Sequence, residues 1–209
     1  MPEQRLSIEV DESVTLEGAL ALPDGPPRGA ALIAHPHPLY GGSMDNNVVE
    51  ALAAAALAAG WAALRFNFRG VGRSTGSNDQ GRGEQADVAA AAGWLRERFP
   101  GPLALLGYSF GSLVAAATAS RLGPLAAGVW ISPPLVLGNL PPWPLDAGPL
   151  LLVAGGRDAY TRLPDLEAYV AALGARGRLV ALPEADHFFV GSESVLLQEA
   201  TALLKLACL

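Results

Sequence analysis

Cysteine and lysine each occur only once in this chain of 209 residues, at Cys208 and Lys205. A lone cysteine excludes an internal disulfide and any metal site built from several cysteines. We interpret Cys208, which lies far in the sequence from every motif described below, as a small apolar residue. Charged residues make up 16% of the chain and the formal net charge is −6. Without a basic cluster, this composition argues against nucleic acid as a partner.

Long apolar runs are missing as well. The longest one near the front, Ala51 to Ala59, is too short to span a bilayer, and Met1 to Ser7 contains no apolar stretch typical of a secretion signal. Hydrophobic residues nevertheless make up 51% of the chain, enough for a large core. We therefore expect one soluble, cytoplasmic domain over residues 1–209, a monomer or homodimer that binds no membrane.

The order of apolar segments predicts an α/β fold. Leu6–Val10 and Val14–Leu20 alternate apolar and polar residues, as an antiparallel hairpin does. After a proline-rich break, buried strands are predicted at 30–34, 62–66, 103–106, 128–131, 150–154 and 179–182, and helices at about 45–59, 84–98, 110–122, 163–174 and 192–206. Apolar strands that alternate with helices indicate a mostly parallel twisted sheet with helices on both faces.

Ligands of such sheets bind beyond the carboxyl ends of the strands. The polar residues that follow predicted strand ends are His35, His37, Arg69, Ser109, Ser132, Asp158 and His187. One connection at this edge, Pro133–Leu145, is apolar, rich in proline and longer than usual. It is too short for a helical lid domain, so we expect a minimal cap or none and an open entrance.

The pattern G-x-S-x-G occurs twice, and its setting separates the two copies. Gly107–Gly111 lies between a predicted strand and a predicted helix, the context of a nucleophile elbow, in which a strained turn exposes a serine. Gly72–Gly76 follows a glycine-broken polar stretch and leads into a loop. We therefore predict that Ser109 is a nucleophile and that Ser74 is a loop residue.

A serine hydroxyl needs a base, and the base needs a group that orients it. His187 lies in the loop between the last strand and the last helix, and Asp158 follows the strand at 150–154. Together with Ser109 they have the chain order Ser, Asp, His that fits a catalytic triad on this kind of sheet. Asp158 could instead cap the next segment.

Other acids fit the triad less well. Asp146 precedes its strand and Asp165 lies inside a helical stretch. Asp186 adjoins His187, and neighbouring loop residues rarely face each other well enough for the required hydrogen bond. Asp158 therefore remains the preferred acid.

Four segments together resemble a known family. They are HPHPLYGGSMDNN at 35–47, RFNFRGVGRS at 65–74, GYSFG at 107–111 and ADHFF at 185–189. The chain resembles the α/β-hydrolases, and in particular a small, cap-poor bacterial group of dienelactone-hydrolase-like and uncharacterised esterases. Dienelactone hydrolases proper use a cysteine nucleophile, so Ser109 argues against that activity. Residues 69–74 are expected to form a structural loop beside the site.

The resemblance also implies an oxyanion hole. One donor is expected to be the backbone N–H of Phe110. For the second we favour the N–H of His37, with Leu39 or Tyr40 as the fallback, because Pro36 and Pro38 have no N–H. Expected pocket residues, each of which could equally belong to the core, are Leu39, Tyr40, Trp143, Tyr160 and Phe188.

The expected function is hydrolysis of small, short-acyl esters or thioesters through an acyl-enzyme, with no cofactor and no metal. His35 and His37 have an i, i+2 spacing that could suggest a metal, but no acidic or cysteine cluster supports one. A peptidase or acyltransferase on the same triad stays open. So does a non-catalytic binding protein of this fold, although such proteins typically lack a triad member.

Overall fold

The computed structural model describes residues 3–207, so Cys208 lies outside the described residues. The strands are β1 Gln4–Glu9, β2 Thr15–Ala21, β3 Ala30–Ala34, β4 Ala62–Phe66, β5 Leu103–Tyr108, β6 Ala127–Ile131, β7 Leu150–Gly155 and β8 Gly177–Leu182. The helices are α1 Asn47–Ala58, α2 Gly83–Arg98, α3 Phe110–Ala119, α4 Leu163–Leu173 and α5 Glu193–Leu206. These bounds lie within a few residues of the predicted ones.

The strands form one twisted sheet in the order β1-β2-β4-β3-β5-β6-β7-β8. β1 pairs antiparallel with β2 and β2 pairs antiparallel with β4, whereas β3 to β8 are parallel. The predicted α/β class, with its N-terminal hairpin and mostly parallel sheet, is confirmed. Strands β3 to β7 are buried along their whole length, because helices cover both faces of the sheet and leave no polar side.

Two apolar cores lie on the two faces. Helices α1 and α5 pack with the side chains of Ile33, Trp61 and Val153 on one face. Helices α2, α3 and α4 cover the other face. The parallel strands therefore all end at one edge of the sheet, between the two layers of helices, and the loops that leave this edge converge.

The connection between β6 and β7 contains no helix or strand in the described chain. Trp143 anchors it: the indole is buried, its Nε1 donates to the Gly148 carbonyl oxygen at 2.8 Å, and its ring meets Trp130 edge to face with centroids 5.6 Å apart. Within residues 3–207, this loop therefore carries no lid.

Candidate active site

Ser109 occupies a sharp turn between β5 and α3. Its φ is +52° and its ψ is −125°, a backbone conformation that a residue with a side chain rarely adopts. The turn is held because the Ser109 N–H donates to Ile131 O at 2.8 Å, while the Ser112 hydroxyl donates to Ser109 O at 2.6 Å. The strain is maintained by the end of β6 and by the first turn of α3.

The two glycines that flank Ser109 are required by close backbone approach. A Cβ on Gly107 would lie 2.7 Å from the backbone nitrogen of Ser112, and one on Gly111 would overlap the carbonyl oxygens of Ala34 and His35. Helix α3 can therefore start directly above β3 and β5 only because positions 107 and 111 carry no side chain.

Three loops bring Ser109, His187 and Asp158 together. Ser109 Oγ lies 2.9 Å from His187 Nε2, and His187 Nδ1 lies 2.8 Å from Asp158 Oδ2. All three residues are at most 9% exposed. A histidine held this way can take a proton from the serine hydroxyl, and the carboxylate can stabilise the resulting imidazolium.

The two oxygens of Asp158 have different partners. Oδ2 faces His187, whereas Oδ1 accepts the N–H groups of Tyr160 at 2.8 Å and Thr161 at 3.2 Å. The alternative interpretation of Asp158 as a local cap thus also describes a real contact. Burial alone would raise the pKa of this carboxyl, but the hydrogen bonds from His187 and the Tyr160 N–H, together with the nearby Ser132 hydroxyl, outweigh it and hold the pKa at about 2.

The Ser132 hydroxyl was not predicted as part of the site. Ser132 follows β6 with a φ of +41° and is fully buried beside Asp158. It lies close enough to favour the ionised carboxylate, although within residues 3–207 its Oγ completes no hydrogen bond of good geometry. In the sequence, Ser132 was distinguished only by its place after a strand.

Tyr108 is a second residue that sequence reasoning missed. Its buried hydroxyl donates to the carbonyl oxygen of His187 at 2.7 Å, and burial raises the pKa of Tyr108. It thereby fixes the loop that carries His187. Tyr108 is the variable residue before Ser109 in the G-x-S-x-G pattern, so no motif signals this contact.

The competing acids lie elsewhere. Asp186 Oδ1 accepts the N–H of Phe188 at 2.9 Å, Asp165 pairs with Arg162 at 3.1 Å, and Asp146 is exposed ahead of β7. Each is occupied by a local contact or is directed to solvent. The structure brings only Asp158 of these four to His187.

The loop after β3 leaves one of the predicted backbone donors free. Leu39 N donates to the ring of His37 at 3.2 Å, and Tyr40 N donates to His37 O at 3.1 Å. Among residues 3–207, no acceptor takes the N–H of His37 or of Phe110. The rings of His37 and Phe110 touch, with centroids 4.6 Å apart, so the two segments adjoin. The fallback donors are thus both engaged.

The buried ring of His35 holds this loop by hydrogen bonds to backbone groups. Its Nδ1 lies 2.6 Å from Pro36 O and its Nε2 accepts the N–H of Phe68 at 3.0 Å. Burial lowers the pKa of His35 to about 4, so the ring is neutral. Both ring nitrogens of His35 are therefore already occupied by backbone groups.

The second G-x-S-x-G copy is a loop with a structural serine. The Ser74 hydroxyl donates to Asn67 O at 2.7 Å and accepts the N–H of Glu17 at 2.9 Å. At the start of the same loop, Arg69 forms an ion pair with the buried Asp87, Nη2 to Oδ1, at 2.6 Å. These contacts tie residues 69–74 to β2 and α2, away from His187.

An open cleft of about 460 Å³ lies over Ser109. Of the predicted pocket residues, Tyr40, Tyr160 and Phe188 line it. The other two predicted pocket residues do not line it: Leu39 is 71% exposed, and Trp143 is buried against Trp130, as its alternative assignment to the core allowed. The loop after β6 instead contributes residues that were not predicted: Pro134, Val136 and Leu137.

Among residues 3–207, no group of three or more His, Cys, Asp or Glu side chains is arranged to hold a metal ion. None of the five helices, within that range, has the length and apolar character needed to cross a membrane.

Comparison with known proteins agrees with this fold. A family profile described as alpha/beta hydrolase fold matches residues 37–151. An uncharacterised protein of Rickettsia prowazekii is 34% identical over 187 residues, which cover 83% of this chain and 77% of that protein.

Two solved structures are similar over nearly the whole chain. One is an alpha-beta serine hydrolase homologue from Coxiella burnetii, 30% identical, with a TM-score of 0.83 and coverage of 97% of both chains. The other is a serine hydrolase without a lid from Xanthomonas campestris, also 30% identical, with a TM-score of 0.83 and coverage of 98% of this chain and 95% of that one.

Proposed function

This chain belongs to the α/β-hydrolase fold family, and we propose that it is a serine hydrolase of small, short-acyl carboxylic esters or thioesters. The observation that carries the proposal is the continuous hydrogen-bonded series from Ser109 through His187 to Asp158. Each member lies on a different loop, and the series ends in a cleft open to a small molecule.

In the proposed reaction, Ser109 Oγ attacks the ester carbonyl while His187 Nε2 takes its proton. The negative charge that develops on the carbonyl oxygen is stabilised by the N–H groups of Phe110 and His37, which have no acceptor within residues 3–207. Asp158 holds the imidazole in orientation and stabilises its charged form.

The tetrahedral intermediate then collapses. The bond from the carbonyl carbon to the alcohol oxygen breaks, and His187 gives its proton to that oxygen, so that the alcohol leaves. Water, deprotonated by the same histidine, attacks the acyl group on Ser109. The bond from the carbonyl carbon to Ser109 Oγ then breaks, His187 returns the proton to Oγ, and the acid leaves. The pKa of Asp158, at about 2, keeps this carboxylate ionised at neutral pH.

Labelling with a fluorophosphonate probe tests the nucleophile. The wild-type protein and Ser74→Ala are expected to react, whereas Ser109→Ala is expected to give no adduct. Ser74→Ala is the matched control, because it alters an identical motif whose hydroxyl serves only backbone contacts. Intact mass spectrometry measures the adduct, and labelling that survives Ser109→Ala would falsify the assignment.

A series of p-nitrophenyl esters from acetate to palmitate tests the acyl preference. The leaving group is constant in this series, so kcat/KM reports the acyl side alone. Since the loop between β6 and β7 carries no lid and the cleft holds about 460 Å³, the optimum is expected among the shortest acyl groups. A maximum at palmitate would contradict the short-acyl proposal.

A further inference from the structure

Exposed apolar side chains are concentrated around the mouth of the cleft. In the described chain, ten large apolar side chains are exposed, and seven of them lie within eight residues after the end of a parallel strand. The seven are Leu39 and Tyr40 after β3, Val136 and Leu137 after β6, Tyr160 after β7, and Phe188 and Val190 after β8. Of the remaining three, Leu22 follows the antiparallel strand β2, Leu206 ends α5, and Leu145 lies where the β6–β7 loop returns toward the start of β7. Such a concentration marks a surface that binds something apolar.

The seven exposed apolar side chains form a rim, and the cleft inside it is lined by no charged residue. None of its fourteen lining residues is Asp, Glu, Lys or Arg. An ionised group on a substrate would lose its hydration there without gaining a partner of opposite charge, which is costly. The part of the substrate that enters the cleft is therefore uncharged.

The position of His187 assigns one side of the cleft to the alcohol half of the ester. In the proposed reaction, His187 Nε2 protonates the departing alcohol oxygen, so that oxygen must come within hydrogen-bond reach of the ring. Two rings flank His187 on the open side: Tyr160, with centroids 4.8 Å apart, and Phe188, at 5.9 Å. These two rings are therefore the exposed aromatic surfaces next to the atom that protonates the alcohol.

Tyr40, the third aromatic side chain of the rim, lies on a different side of the cleft. Tyr40 packs on His37 with ring centroids 4.8 Å apart, on the loop after β3 that supplies the free N–H. In the described chain no ring contact joins Tyr40 to His187. Among the exposed aromatic side chains of the rim, only Tyr160 and Phe188 contact the ring of His187.

We propose that Tyr160 and Phe188 form a leaving-group subsite that selects uncharged alcohols carrying an aromatic ring, as in benzyl esters. The rings of Tyr160 and Phe188 meet the His187 ring at 59° and 86°. A ring of the substrate can pack edge to face against one of them, a geometry that aromatic pairs prefer. This inference rests on the proposed function, because His187 places the leaving group only if it acts as the general acid.

Three acetate esters test the subsite: benzyl, cyclohexylmethyl and methyl acetate. All three form the same acetyl-enzyme, so differences in kcat/KM arise before deacylation and report the alcohol side. Benzyl and cyclohexylmethyl alcohols are similar in size and are both poor leaving groups that need protonation. The wild-type protein is expected to favour benzyl over cyclohexylmethyl acetate about 3- to 10-fold.

Variants locate the source of that preference. Phe188→Ala and Tyr160→Ala are each expected to lower the benzyl-to-cyclohexylmethyl ratio, and Phe188→Leu, which keeps an apolar side chain without a ring, is expected to lower it as well. Leu145→Ala is the control, since Leu145 is an exposed apolar side chain outside this group of seven and does not line the cleft. It should leave the ratio unchanged.

The outcomes separate this inference from the proposed function. If the wild-type protein hydrolyses methyl acetate and labels with fluorophosphonate but shows a ratio near one, or one that neither ring variant changes, the subsite is wrong and the hydrolase proposal stands. If no acetate ester is hydrolysed and Ser109 does not label, the proposed function itself fails. A 4-carboxybenzyl acetate that reacts as well as benzyl acetate would overturn the requirement for an uncharged alcohol.

Discussion

At the scale of single residues, Asp158 combines two contacts that a neutral amide could only partly reproduce. One oxygen faces His187 and the other accepts two backbone N–H groups. The second contact depends on an acceptor atom, which asparagine also has. The first also requires a negative charge that stabilises the imidazolium.

Asp158→Asn is therefore expected to fold but to lose kcat on the order of 10³- to 10⁴-fold, because the amide no longer stabilises the charged ring and can favour the wrong tautomer. Asp186→Asn is the control. That residue adjoins His187 in the chain and caps the Phe188 N–H instead, so its effect should stay within roughly threefold. Ester turnover beside circular dichroism measures both, and equal losses in the two variants would contradict the assignment of Asp158.

Not every residue around His187 could be predicted. Ser109, Asp158 and His187 each have a local signal: a motif, a strand end, or a place in the last loop. Tyr108 and Ser132 have none, since the contact of Tyr108 with His187 O and the approach of Ser132 to Asp158 depend on how β5, β6 and β7 are aligned side by side. Such an alignment is a property of the sheet and is not encoded in any short segment.

At the scale of elements, the strand-turn-helix unit that carries Ser109 depends on its glycines. Helix α3 crosses β3 so closely that the backbone of Gly111 meets the carbonyl oxygens of Ala34 and His35. An added methyl group would displace the helix start, and with it Ser109. Displacements of about 1 Å at a reacting atom can cost on the order of 10²-fold in rate.

Gly111→Ala is thus expected to lower the free energy of unfolding by about 3 kcal/mol and to abolish most ester turnover. Gly93→Ala is the matched control: Gly93 is exposed in α2, and a Cβ there meets nothing within 4 Å. That change should raise stability by about 0.5–1 kcal/mol because alanine favours a helix. Urea unfolding measures both, and a neutral Gly111→Ala would show that the close approach is unimportant.

The loop between β6 and β7 shows where element-level prediction failed. Its length correctly indicated the absence of a helical lid, and its composition is apolar and rich in proline. The same composition made Trp143 look like a pocket residue, but its indole packs over Gly128, where a Cβ would lie 2.7 Å from the ring. An aromatic side chain in a loop can either anchor the loop or line a cleft. Which of the two it does depends on the residues against which it packs.

At the scale of the whole molecule, the buried histidine under the β3 loop links stability to pH. His35 is fully buried, and its Nε2 must stay unprotonated to accept the Phe68 N–H. Burial lowers the pKa of His35 from its ordinary value of 6.5 to about 4. Between these values the unfolded chain binds a proton that the folded chain does not, so stability falls as the pH falls.

The free energy of unfolding is therefore expected to drop by about 3 kcal/mol between pH 6.5 and pH 4. His37, whose pKa is also lowered by burial, adds to the change in the same direction. Asp158 does not contribute in this window, because its lowered pKa affects stability only below its ordinary value of 3.8.

His35→Asn keeps a donor for Pro36 O but does not titrate. This variant should be less stable at pH 7, and its free energy of unfolding should change less with pH. Urea midpoints from pH 7 to pH 4.5 measure the slope, and an unchanged slope in the variant would contradict this account.

The amino-acid sequence was sufficient to predict the architecture and the loops that carry Ser109, Asp158 and His187. Apolar periodicity predicted the parallel sheet, and glycine spacing predicted the turn at Ser109. These signals are local: they depend on backbone conformation and side-chain alternation within about ten residues. Only the tertiary structure decided which backbone N–H groups stay free, which aromatic side chains face the cleft, and which of Tyr40, Tyr160 and Phe188 borders His187. Those contacts join segments distant in the chain, and their geometry follows from how the two layers of helices pack on the sheet.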